Sequence, residues 1–233
     1  MKKFLSLVLI VALVGLLCVS ASAEENRVIR VSGNATVSLA ADFATLQIGV
    51  NTRNASIGEA QAENARLMQA VIAAIQQAGV GEKDVITSQF NVYSNYDYSV
   101  DDQGREVRTN YYQVENMLSV TVRDLSRVGA VLDAAMNAGA NTTYGITFDS
   151  TQANEAYQKA LTRAVQDAAM KAQVLSDAAG KELGELITVD ASQGNYSYGV
   201  SNVYSAKAAS DETAIISGDV SVTANVVLEY EFK

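Results

Sequence analysis

Apolar residues at every second position mark both ends of the folded part of this 233-residue chain. At the front, Ile29 and Val31, then Val37 and Leu39, then Ala44, Leu46, Ile48 and Val50 alternate with polar neighbours. At the back, Val220, Val222, Ala224, Val226, Leu228, Tyr230 and Phe232 alternate with Ser221, Thr223, Asn225, Val227, Glu229 and Glu231. Successive side chains of a strand point to opposite faces, so this period calls for a sheet with one face buried. Ala40-Ala41-Asp42 breaks the front run and marks a corner between two strands. Gly33, inside the first run, marks a bulge or a close backbone approach.

Between these ends the period changes several times. Ser56-Ile-Gly-Glu59 has capping-box spacing, and Ile57, Ala60, Leu67, Met68, Val71, Ile72 and Ile75 follow at helical steps up to a stop at Gly79. From Val85 to Val122 alternation returns on both sides of Asp101-Asp102-Gln103-Gly104, which predicts a long antiparallel hairpin. That acidic turn lacks the twelve-residue pattern of a calcium loop. Asp124 caps a second helix carrying Leu125, Val128, Val131, Leu132, Ala135 and Met136 inward and ending at Gly139. A short strand at Tyr144–Asp149 precedes a third helix over Asn154–Ala179, capped by Gly180. Its stripe is Tyr157, Ala160, Leu161, Ala164, Val165, Ala168, Ala172, Leu175 and Ala179, and so many alanines require a close approach to whatever it packs on. Leu186–Val189 is another short strand. Asp190–Thr213, rich in Ser, Gly, Asn, Ala and Tyr, has no period; loops of that length are usually functional or disordered.

The first 23 residues read as an export signal. Lys2-Lys3, an apolar run from Phe4 to Val19 and the small residues Ala21-Ser22-Ala23 fit a cleaved signal peptide, the run being shorter than the ~20 residues of a membrane span. Leu16-Leu17 ahead of Cys18 does not suit lipoprotein processing. Cleavage leaves residues 24–233 without cysteine and with 15 basic against 26 acidic residues. An exported chain without disulfides depends on packing or assembly. Its acidity repels nucleic acid and anionic lipid, so neither is an expected partner, and no stable membrane insertion follows cleavage. With no histidine anywhere and no cysteine left, thiol chemistry is excluded and the usual general bases and metal ligands are missing. A carboxylate pair, a Ser–Lys pair or an oxygen-ligated metal remains conceivable, but Asp149 and Asp190 at strand ends are equally explained as turn caps, and Lys207 lacks a nucleophile motif around it. No catalytic, cofactor-binding or metal residue is assigned, no cofactor is expected, and the chain reads as no enzyme.

Helices that follow hairpins, with no segment suited to an interdomain linker, predict an α+β fold. It would be a single domain over 24–233, a mainly antiparallel sheet with three helices on one face. In Val31-Ser-Gly33, Asp42 before its strand, Ala60-Gln-Ala-Glu-Asn64, Gly79-Val80 with Lys83-Asp84-Val-Ile-Thr87, Tyr96-Asp97-Tyr98, Asn116–Asp124 and Ala138-Gly139-Ala140-Asn141, the chain resembles the SIMPL-domain family of exported bacterial proteins. Periplasmic immunogenic antigens belong to that family. The motifs are short, but their order and spacing run through nearly all of residues 24–233. Ala41 and Ser94 stand where family members often carry proline. The resemblance implies a soluble extracytoplasmic protein, periplasmic where the cell has an outer membrane and otherwise secreted or at the cell surface. It also implies large ring-like homo-oligomers in some members and a link to oxidative-stress tolerance in others, with no catalytic residues to transfer.

Tyrosine is the one unevenly placed residue type. Tyr93, Tyr96, Tyr98, Tyr111 and Tyr112 fall in the hairpin and Tyr196, Tyr198 and Tyr204 in the long loop. A rigid apolar ring with a polar tip suits contact surfaces, although hairpin tyrosines also serve as cross-strand pairs. These eight form the candidate interaction surface of a non-catalytic cell-envelope protein that self-associates or binds an envelope protein. The alternative is a module for a small extracytoplasmic ligand, with the tyrosine-rich loop as its lid.

Overall fold

The computed structural model describes residues 27–191 and 213–232. The proposed leader and most of the long loop, with Tyr196, Tyr198 and Tyr204, lie outside the described residues. Seven strands and three helices follow in the order β1 (Val28–Ala40), β2 (Phe43–Asn54), α1 (Ile57–Gln77), β3 (Val85–Val100), β4 (Glu106–Val122), α2 (Val128–Asn137), β5 (Thr142–Asp149), α3 (Ala153–Ala178), β6 (Leu183–Asp190) and β7 (Asp219–Phe232). The α+β class, the antiparallel pairing and the three helices are as the sequence predicts. The strands, however, divide between two sheets, ordered β1-β7-β6 and β3-β4-β2-β5. Helices α1 and α2 cover the four-stranded sheet, while α3 covers the three-stranded one.

The division follows from the corner at Ala41-Asp42. The Asp42 amide donates to the Asp149 carbonyl at 3.0 Å. Its carboxylate accepts from the Thr151 amide (2.9 Å), the Thr151 hydroxyl (2.6 Å) and the Ser150 hydroxyl (3.2 Å). The chain therefore leaves β1 and enters β2 in a different sheet, and the same aspartate fixes the start of α3. The Thr151 hydroxyl, above all, holds the Asp42 carboxyl below the usual carboxylate range. A second tie joins the halves: Thr213 donates through its amide and hydroxyl to Asp133 on α2, at 2.9 and 2.6 Å, just before the chain enters β7.

The two layers differ in their side chains. Under α1 and α2, Leu46, Ile48, Val50, Leu118 and Val120 meet Met68, Val71, Ile75, Val128 and Val131. Under α3, Ala160, Ala164, Ala168 and Ala172 meet Ile29, Val31, Val226 and Leu228. A four-residue repeat of alanine puts only methyl groups on the helix side of this layer, and at Gly33 the strand backbone comes close to the helix. A Cβ there would stand 2.0 Å from the Ala164 carbonyl oxygen and 2.7 Å from the Ala168 Cβ.

Several local expectations need correction. Ser56 is the N-cap residue of α1, but its side chain makes no capping bond; its amide instead takes Asn54 Oδ1 at 2.9 Å. Ile57, Val165, Leu175 and Met136, placed inward by periodicity, are exposed. Asn64, a polar residue on α1, is buried because its Nδ2 donates to the carbonyls of Val50 and Val114 at 2.9 and 3.1 Å, one on each of two paired strands.

Candidate interaction surface

Strand β3 contains sixteen residues, and none is buried. Among the described residues its sole strand neighbour is β4, so no described strand pairs with the backbone donors and acceptors of its other edge. Alternation in Ile86, Phe90, Val92, Tyr96 and Tyr98 argues for one buried face, and the structure overturns that expectation for β3. The helix layer lies over β2 and β4 and stops short of β3, and a bulge at Ser88 shifts the register between Thr87 and Gln89. Ile86 and Phe90 therefore face opposite sides of the sheet. The even positions of β4 do behave as expected: Val114, Leu118, Val120 and Val122 are buried.

Beyond the sheet the hairpin continues alone. β2 accompanies β4 only from Ala44↔Val122 to Asn54↔Tyr112, whereas β3 and β4 stay paired out to Val100↔Glu106. At ~3.4 Å per residue the unsupported ribbon reaches roughly 20 Å past the last β2 pair. A two-stranded ribbon is marginal in water, and side chains reinforce this one. The Arg108 guanidinium lies over the Tyr96 ring at 3.4 Å, and Arg53 lies over Tyr111 at 3.5 Å while pairing with Asp97. Asn95 Nδ2 donates to Gln113 Oε1 at 3.3 Å, and the Ser94 hydroxyl to Asn110 Oδ1 at 3.1 Å. The tip closes on Asp101, whose side chain accepts from the Gln103 and Arg105 amides, with Gly104 at φ 75°.

Cross-strand partners share a face, so the register sorts the tyrosines. Tyr96, Tyr98 and Tyr112 lie on the side of the sheet that carries α1, with Phe90, Val92 and Val100; Tyr93 and Tyr111 lie on the other. Tyr98 is 72% exposed, Tyr93 and Tyr96 are also exposed, and Tyr111 and Tyr112 are half-buried. The five do not form one cluster. They give the ribbon an aromatic surface on each face.

Sequence reasoning missed two residues beside them. Tyr144 sits at a bulge in β5 and donates its hydroxyl to Glu115 Oε1 on β4 at 2.5 Å. That bond, and the Glu115 charge, raise the Tyr144 phenol above its ordinary range. Glu115 is only 7% exposed although it lies on the side away from the helices. No periodic signal could have found the pair, because it depends on an inserted residue.

The profile of the SIMPL family, described as a protein of unknown function (DUF541), matches residues 29–230. The chain belongs to the SIMPL family. A 26 kDa periplasmic immunogenic protein of Brucella melitensis is 30% identical over 186 residues, covering 77% of this chain and 74% of its own length. The uncharacterized protein YggE of Escherichia coli K12 is 29% identical over 190 residues, covering 79% and 75% respectively. YggE of Edwardsiella ictaluri is 24% identical over 172 residues. None of these names is that of an enzyme, and the Brucella relative is called periplasmic. Among the described residues of this SIMPL chain, no helix is long and apolar enough to cross a membrane.

Proposed function

We propose that this SIMPL protein is an exported, single-domain, non-catalytic component of the cell envelope that acts by contact, self-associating or binding an envelope protein through the β3 edge and its ribbon. One observation carries the reading. A strand of sixteen residues lies on a sheet edge, exposes Ile86, Phe90, Val92, Tyr93, Tyr96, Tyr98 and Val100, and has Asp97 as its one charged side chain. Proteins that must stay single protect such edges with lysine, proline, charge or brevity; apart from its bulge, this edge has almost none of that protection. Exposed apolar strand edges of this kind mark association sites. The periplasmic label of the Brucella relative and the acidic, cysteine-free mature chain support the envelope setting.

The test is the native mass of residues 24–233 by light scattering, beside a Val92→Lys/Tyr96→Lys variant and a variant lacking residues 191–212. A discrete oligomer that dissociates in the lysine variant supports the reading and places the contact on β3. An oligomer that dissociates only on loop deletion keeps assembly and moves the contact to the loop. A wild-type monomer at micromolar concentration that captures no envelope protein overturns the reading.

A further inference from the structure

In the three-stranded sheet, β1 is one of the two edge strands, and only part of its outer side is closed among the described residues. The Phe232 amide donates to the Arg27 carbonyl at 2.8 Å. That bond and the register that follows make odd-numbered residues of β1 the ones bonded to β7, so the amides and carbonyls of Val28, Arg30, Ser32 and Asn34 point outward. From Ser32 onward α3 covers them: Lys171 Nζ donates to the Ser32 carbonyl at 3.1 Å, and Asp167 Oδ2 accepts from the Asn34 amide at 3.0 Å. Before Ser32 no strand or helix among the described residues does so. Beside that open stretch lies a groove of about 540 Å³ between β1 and α3, walled by Arg30, Val31, Met170, Lys171, Val174 and Leu175. Met170 and Val174 are 63% and 61% exposed on a helix whose other face is fully buried, and Leu175 is also open.

We propose that Val28–Ser32 and this groove bind an extended peptide segment of another protein as an added strand. Outward backbone donors and acceptors at strand spacing can be satisfied in regular order only by another strand, and the groove takes the side chains that such a strand presents to α3. The register sets the chemistry of the segment. The residue opposite Arg30 lies on Arg30's face, where Glu229 reaches the guanidinium only at 3.5 Å, and an acidic side chain suits it. The residues on either side face Met170, Val174 and Leu175 and are apolar. An apolar–acidic–apolar segment is therefore selected. Size argues for a peptide over a second copy of the chain. Lys171 and Asp167 stop the pairing at Ser32, and five residues of strand span roughly 17 Å. Such a strip with three side chains buries well under the ~1,200 Å² that a stable contact between two folded copies needs.

The experiment measures fluorescence anisotropy of residues 24–233 with a labelled, end-blocked heptapeptide pool, apolar–Glu–apolar at its centre. Arg30→Pro removes the outward amide while leaving the β1–β7 bonds in place, and Val174→Asp charges the groove from a separate element. Saturable binding that weakens at least about tenfold in both variants, and on replacing the peptide glutamate by lysine, is the expected result. No saturable binding by the wild type up to millimolar peptide, or binding that neither variant changes, overturns the proposal. So does a fall in native mass of Arg30→Pro, which makes a second copy the occupant. Because β3 lies in the other sheet, the β3 lysine variant leaves peptide binding intact whether or not the contact proposed for β3 holds.

Discussion

The two helix-on-sheet layers do the same architectural work with opposite packing chemistry. One fills the gap with leucine, isoleucine, valine and methionine; the other removes the gap with alanine and Gly33. Interiors are close-packed in either case, but the sensitivity differs. A large-residue core is damaged by taking atoms away and an alanine interface by adding them. The corner at Asp42 lets the chain pass from one regime to the other within two residues.

Truncation in the first layer has the largest expected effect. Leu118 is fully buried at the centre of the four-stranded sheet, and Leu118→Ala should lower the unfolding free energy by about 3–4 kcal/mol in urea titrations. Next comes enlargement in the second layer. Ala164→Leu forces three carbons into the packed layer between α3 and its sheet and should cost about 1–3 kcal/mol, whereas Ala160→Gly should cost only about 1 kcal/mol, mostly in helix propensity. If Ala164→Leu proves neutral, the alanine layer is looser than Gly33 implies and the contrast between the layers fails.

The Asp42 corner tests what holds the layers together. Its carboxyl titrates below the ordinary aspartate value near 3.9. A depressed folded-state value means the stabilisation is present above that ordinary value and is lost as pH falls through the folded one. Asp42→Asn should therefore weaken the protein by ~1–2 kcal/mol at neutral pH. The difference from wild type should narrow as pH falls below the ordinary aspartate value and through the lower folded-state one, read as urea midpoint against pH. A difference that persists unchanged into acid would mean that the geometry of the corner matters and its charge does not.

Much of this was legible, and the gaps have physical causes. Every strand and helix among the described residues was located, most of them by a periodicity that burial imposes on each element separately. The alanine stripe announced a close approach and Gly33 a bulge or a close approach, but that the two meet each other was not legible. What the sequence could not carry was which strands share a sheet: alternation says that Ile48 and Val31 are buried, not under which helix. Bulges at Ser88 and Tyr144 also stay silent, because one inserted residue reverses faces without changing composition. For the candidate surface, the tyrosines of the ribbon were visible. The whole exposed edge of β3 was not, because its alternating Phe90, Val92 and Tyr96 look the same as those of a strand under a helix. Asn64 and Glu115 escaped because a buried polar residue is specified by the partner it finds.

The smallest expected effect on stability belongs to the ribbon tip, and it sharpens the comparison from outside. Tyr98 is the most exposed of the hairpin tyrosines, pairs across the ribbon with Arg108 and touches neither layer. Tyr98→Ser should change the unfolding free energy of the monomer by less than ~0.5 kcal/mol. Its weight should appear elsewhere, as weaker self-association or partner capture when native mass is followed against protein concentration, because an exposed aromatic at the end of a ribbon acts through what it meets. A stability loss near that of Leu118→Ala would show that the ribbon packs back on its own chain. A variant unchanged in both stability and association would leave the tip out of the contact and confine it to Phe90 and Val92 on the supported half of β3 and Tyr96 just beyond it.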